Sequence, residues 1–154
     1  MQTHFASKRG ASGPYFGQMA SMPHPQGPQS PSETPIRPFP GGRPQGIRAP
    51  HSARVLQITW SSPEGPVVHQ LSHSIVRGYC PCAGCQGHGS KVHFVAGGDQ
   101  ELRDIQPVGN YALSLTWGDH HSTGIYTFEY LWKLGELERT LGTEALKELD
   151  ELPR

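Results

Sequence analysis

From Arg54 onward the apolar positions fall into short periodic runs. Val55, Leu56, Ile58 and Trp60 form a stretch rich in β-branched and aromatic residues, and Ser61-Ser62-Pro63-Glu64-Gly65 closes it. A second run, Val67 to Leu71, follows directly, and turn residues between two such runs predict an antiparallel hairpin. Ser72 to Val76 reads as one helical turn capped by Ser72, after which Gly78 releases the chain into a cysteine-rich loop. Val92 to Val95 and Leu102 to Ile105, on either side of Gly97-Gly98, read as brief strands. Tyr111, Leu113, Leu115 and Trp117 alternate with Ala112, Ser114 and Thr116, the period-two pattern of a strand with one packed face. Ile125, Phe128, Leu131 and Trp132, with Leu134 nearby, repeat instead at three and four, the spacing of a helix laid on a sheet. Beyond Gly135, Leu137, Leu141, Leu146 and Leu149 stand among charges with Gly142 between them, which predicts two short amphipathic helices. The fold class is therefore α+β, a small antiparallel β-rich domain with short helices packed at its C-terminal end.

Composition changes the picture for the first third of the chain. Ten of the 15 prolines lie in residues 1–50, together with five basic residues and one acid, Glu33. Such a Pro, Gly, Ser and Gln-rich stretch has little to bury against an ordering cost of roughly 1–2 kcal/mol per residue, so it is expected to be a disordered tail. Its prolines at 25, 28 and 31, and again at 35 and 38, have polyproline-II spacing, although composition favours a solvated linker. The division is then a tail over 1–50, a domain over 51–135 and an amphipathic helical extension over 136–154. No apolar run reaches the ~18 residues of a membrane span. No apolar core of a signal peptide follows Lys8-Arg9, so a cytoplasmic location is expected. The net charge of zero is +4 on residues 1–50 balanced by −4 on the rest. A net acidic domain without a basic stripe argues against a nucleic-acid partner.

The candidate chemistry is a cluster of all three cysteines within six residues, Cys80-Pro81-Cys82-Ala83-Gly84-Cys85. An odd number so closely spaced is no disulfide framework. Cys80 and Cys82 face the same way in an extended stretch, and Ala83-Gly84 lets the chain curl until Cys85 meets them. A tetrahedral ion needs a fourth donor, and Cys₃His is a recurrent structural zinc set. His88 lies nearest but within a glycine loop. His120 and His121, directly after the strand ending at Trp117, are better placed to staple the cysteine loop to the sheet, and spacing does not choose between them. Three crowded thiols suit a metal better than one activated nucleophile with a base. Asp119 is expected to shape the turn before His121, and Tyr126 and Tyr130 are expected to pack.

Three segments carry a resemblance: Val76-Arg77-Gly78-Tyr79-Cys80-Pro81-Cys82-Ala83-Gly84-Cys85, then Val108-Gly109-Asn110-Tyr111-Ala112-Leu113, then Trp117-Gly118-Asp119-His120-His121-Ser122-Thr123-Gly124-Ile125-Tyr126 and onward to Leu131. Over about residues 54–134 the sequence resembles the gamma-butyrobetaine hydroxylase-like N-terminal domain. The resemblance implies a stand-alone zinc-binding domain with Cys80, Cys82, Cys85 and His121 as ligands, iron or an iron–sulfur cluster being the alternative cofactor. It also implies a protein partner, since such domains occur ahead of 2-oxoglutarate-dependent dioxygenases and fused to iron–sulfur carrier ATPases. His120 stands where the family commonly has glycine, and Gly118 where serine is frequent. A non-haem iron oxygenase needs two histidines and a carboxylate, usually with an acid two residues after the first histidine. No histidine in this chain has that acid, and no phosphate-cradling glycine loop is present. The expectation is a non-enzymatic metal-binding interaction module, with an accessory role in iron–sulfur cluster assembly, or a detached dioxygenase partner, as the alternatives.

Overall fold

The structure, a computed structural model, describes residues 35–89 and 91–153. Strands β1 (Gly46–Arg48), β2 (Val55–Trp60) and β3 (Val67–Ser72) lead into helices α1 (His73–Gly78) and α2 (Ala83–Gln86). Strands β4 (Leu102–Val108), β5 (Ala112–Trp117) and β6 (Ile125–Thr127) follow, then helices α3 (Phe128–Leu141) and α4 (Thr143–Lys147). They form two antiparallel three-stranded sheets, β1-β2-β3 and β4-β5-β6. The architecture is α+β, as the sequence pattern predicts. No helix among the described residues is long and apolar enough to cross a membrane.

The predicted hairpin is β2–β3, in register from Val55↔Ser72 to Trp60↔Val67. Its alternation buries Leu56, Ile58 and Trp60 on one face. Strand β5 buries Leu113, Leu115 and Trp117 but leaves Tyr111, just before it, exposed. Pro107 lies in β4, where the unpaired edge of the sheet tolerates a residue without an amide hydrogen.

Five expectations need correction. Val92 to Val95 forms no strand: its polar backbone groups go instead to the Gln86 side chain, to Gly78 and to Leu152. Ile125 belongs to β6 rather than to the helix, because pairing of Ile125–Thr127 with β5 holds it extended. Thr127 starts α3 by accepting a hydrogen bond from the Tyr130 amide at 3.1 Å. Ser72 does precede α1, but its hydroxyl donates to Glu138 at 2.5 Å rather than capping the helix.

The fourth correction concerns the expected tail, of which residues 1–34 lie outside the described residues. Residues 35–50 are ordered. β1 pairs with β2, Phe39 packs edge-on against Trp60 at 5.8 Å, and the Trp132 indole donates to the Arg37 carbonyl at 2.8 Å. Arg37 also binds Glu136 through its backbone amide at 3.0 Å and through its guanidinium. Trp132 and Glu136 lie 95 and 99 positions from Arg37 in sequence, so local composition carries no trace of them.

Of the two short helices expected beyond Gly135 only α4 is separate: α3 runs without a break through Gly135 to Leu141, and the reason for a glycine there is packing. A Cβ on Gly135 would run into the His69 imidazole, so its absence lets α3 lie close on β3. Gly135→Ala is expected to destabilise the domain by roughly 1–3 kcal/mol through overpacking, outweighing the ~1 kcal/mol gain in helix propensity. A urea midpoint that stays level or rises would show that the ring has room to yield.

Candidate metal centre

Helix α1 is buried along most of its length, and its end delivers Cys80, itself fully buried, against the loop between β5 and β6. Pro81 and Cys82 turn the chain into α2, whose single turn carries Cys85. On the other side, Trp117 donates its amide to the His121 carbonyl and accepts from the His120 amide, both at 3.0 Å, closing the turn between β5 and β6. That turn needs positive φ at its third residue, and His120 takes it at 64°. His120 is thereby exposed, while the His121 ring faces inward.

The four side chains converge. His121 Nε2 lies 3.2 Å from Cys80 Sγ, 3.5 Å from Cys82 Sγ and 3.7 Å from Cys85 Sγ. All four donor atoms lie within 4.8 Å of one another. A tetrahedral zinc with bonds of ~2.3 Å to sulfur and ~2.0–2.1 Å to nitrogen requires sulfur–nitrogen edges of about 3.5 Å. The three distances bracket that value, so the donor set fits the ion in both chemistry and spacing. His88 and His120 are not part of the group.

Electrostatics separates the thiols. Burial pushes Cys80 up to about 12. Burial also opposes ionisation of Cys82, but hydrogen bonds from the Thr123 hydroxyl, the Cys85 amide and the neighbouring thiols outweigh it and bring Cys82 down to about 7. Burial, then the nearby Arg77 charge, lowers His121, leaving its imidazole neutral at pH 7, the form that ligates. Uptake of a metal by this set must therefore release protons, that of Cys80 among them.

A model of the family described as gamma-butyrobetaine hydroxylase-like, N-terminal, matches residues 47–132. The chain belongs to this family. No curated protein matches. Among solved structures, a protein with unknown function from Acidithiobacillus ferrooxidans is 33% identical, covering 60% of this chain and 92% of its own, with a TM-score of 0.48. Two solution structures are similar: one is 28% identical over 70% of this chain and 84% of its own with a TM-score of 0.53, the other 29% over 72% and 75% with 0.50.

For this member of the gamma-butyrobetaine hydroxylase-like family, the geometry explains several motif residues. Gly124 is small because a Cβ there would stand 2.7 Å from Cys80 Sγ and 2.8 Å from the Tyr126 ring. The position of His120 is one that glycine adopts without strain. Asp119 shapes the turn, as expected: its Oδ1 accepts from the His121 amide at 3.1 Å. Its Oδ2 does something the sequence did not announce, receiving Arg77 Nη2 at 2.7 Å and Nε at 3.2 Å. Burial opposes both charges, but their mutual bond more than offsets it, raising Arg77 and lowering Asp119. Tyr126 and Tyr130 do more than pack, since their hydroxyls donate to the carbonyls of Val76 at 3.1 Å and Tyr79 at 2.6 Å and so brace the backbone that delivers Cys80. Arg77 stands three residues before Cys80, and that proximity is the one signal in the sequence that singles it out.

Proposed function

We propose that this chain is a non-enzymatic, cytoplasmic module in which Cys80, Cys82, Cys85 and His121 hold one zinc ion as a structural site, and whose surface engages a protein partner. The observation that carries this reading is the tetrahedral spacing of one imidazole nitrogen and three sulfurs. An ion bound by four protein donors has no open position for substrate, so what it supplies is a cross-link. The residues do the rest. Cys80 brings the end of α1, Cys85 brings α2, and His121 brings the β5–β6 turn, so the donors join the half of the molecule built on β1-β2-β3 to the half built on β4-β5-β6. The partner class suggested by the family's fusions is an iron–sulfur carrier ATPase or a 2-oxoglutarate-dependent dioxygenase.

Elemental analysis of anaerobically purified protein, with an absorption spectrum of the same sample, tests the reading. One zinc per chain and no visible band are expected. Iron with acid-labile sulfide and a visible band would replace the structural reading with a role in iron–sulfur cluster assembly. In the same assay His121→Ala is expected to abolish stoichiometric metal and His88→Ala to retain it. The reverse pattern would overturn the ligand assignment.

A further inference from the structure

The three sulfurs of the site are held in unequal ways. Cys80 is sealed: it has no solvent exposure, and Gly124 and the Tyr126 ring wall it in. Cys82 receives hydrogen bonds from neutral groups only, the Thr123 hydroxyl and the Cys85 amide among them. Cys85 alone faces a cation, Arg77 Nη1 at 3.6 Å. The helical turn that carries Cys85 buries none of its own residues. Its ties to the body are the Gln86 amide, bonded to Cys80 and His93 in a partly exposed setting, the approach of Cys85 to His121 Nε2 at 3.7 Å, and the Arg77 contact. Arg77 is itself 9% exposed and sits on α1 next to Ile75 and Val76, both fully buried, so it is a rigid post beside a loosely held turn. The carboxylate of Asp119 fixes the guanidinium and the His121 amide together. Gly98, at φ 74°, leaves room for this pair, since a Cβ there would strike Asp119 Oδ2.

We propose that Arg77 is the latch of the cysteine loop: fixed by Asp119, its guanidinium holds the Cys85 sulfur and governs how fast the loop opens to take up or release its ion. The inference rests on the metal-binding reading above. Opening begins at Cys82, the arm with neither a seal nor a cation, and is completed when Cys85 leaves Arg77. A hydrogen bond from a cation also draws electron density from that sulfur, so Arg77 tunes Cys85 as a donor as well as positioning it.

Cobalt(II) is the probe, because sulfur-to-cobalt charge transfer reports the electron density on the thiolates. The wild-type chain is expected to bind one Co(II) with an intense near-ultraviolet band. Arg77→Met and Arg77→Lys are each expected to move that band to lower energy and to speed transfer of the ion to an excess of chromophoric chelator by about tenfold, the scale of one lost charge-assisted hydrogen bond. Lysine keeps the charge and the pairing with Asp119 but lacks the fork that reaches carboxylate and sulfur together. If Arg77 served only as a structural ion pair, Arg77→Lys would restore both the band position and the transfer rate, and that result overturns the proposal. Should Arg77→Met fail to fold, Arg77→Lys and Asp119→Asn decide, the latter giving a smaller shift in the same direction. A wild-type chain that binds no Co(II) would instead remove the metal reading itself, an outcome distinct from failure of the latch.

Discussion

Withdrawal of the metal by a strong chelator is expected to lower the thermal midpoint of this chain by roughly 12–25 °C. A ligand present at a thousandfold its Kd stabilises by about 4 kcal/mol, and each kcal/mol moves the midpoint of a domain of this size by roughly 3–6 °C. The loss should be of this order because the donors come from both halves of the molecule, so emptying the site frees the α2 turn and the β5–β6 turn from each other. It should not be total unfolding, since Cys80 is one member of a core that also holds Trp60, Leu71, Ile75, Leu131 and Leu134, side chains that bind no metal. Cys80→Ser should reproduce the effect without chelator, with a further loss from placing a hydroxyl in a fully buried position. Differential scanning calorimetry before and after chelation checks this. A midpoint that holds while metal content falls to zero would mean that the site does not support the fold.

Loss of the Glu136 carboxylate is expected to be nearly as costly. Glu136 is fully buried and binds three partners: Arg37, Arg139 at 2.9 Å, and His69 Nε2 at 2.8 Å. The Trp60 indole donates to His69 Nδ1 at 3.1 Å, so the ring proton sits on Nε2 and points at the carboxylate. Removing one member of a buried ion pair costs about 3–5 kcal/mol. Glu136→Ala should fall near 3, because both guanidiniums it abandons still reach water. The network also sets a pH dependence. Burial lowers His69 below its ordinary value of 6.5, with Glu136 opposing. Burial would raise Glu136 above its ordinary value of 4.5, but Arg37, Arg139 and His69 hold it well below. In both cases the unfolded chain binds the proton first, so stability rises with pH. The stabilisation is complete above pH 6.5, declines below it as unfolded chains protonate at His69, and falls further below pH 4.5 as they protonate at Glu136. Urea midpoints from pH 8 to 4 should show this decline, and the limb below pH 4.5 should flatten in Glu136→Gln. A wild-type midpoint independent of pH across this range would contradict the assignment.

What the sequence revealed and what it hid follow from the range of the interactions involved. The β2–β3 hairpin and β5 are written locally, in alternation and turn residues, and three of the four metal donors sit within six residues. The fourth, His121, came from family resemblance, because nothing in spacing separates it from His120. The φ of 64° at His120 is what separates them in the structure. Ile125 stands three residues before Phe128 and so mimics a helical face, although strand pairing claims it. Val92 to Val95 has the residue types of a strand but pairs with no strand among the described residues. Arg37, His69 and Glu136 were invisible because an arginine in a proline-rich stretch, a histidine in a strand and a glutamate in an amphipathic helix each look like surface residues until the fold brings them together.

The bond between Arg37 and Glu136 spans 99 positions of the sequence. During synthesis on the ribosome, Arg37, Phe39, Trp60 and His69 all emerge before the helix that covers them exists. Until α3 is made, the aromatic face of the first sheet stays open to water, and the arginine has no carboxylate to meet. Contacts of such long range slow the final closure of a fold. The nascent chain must therefore pass through a stage with Trp60 exposed, and that stage is where a chaperone that recognises aromatic surface would find it.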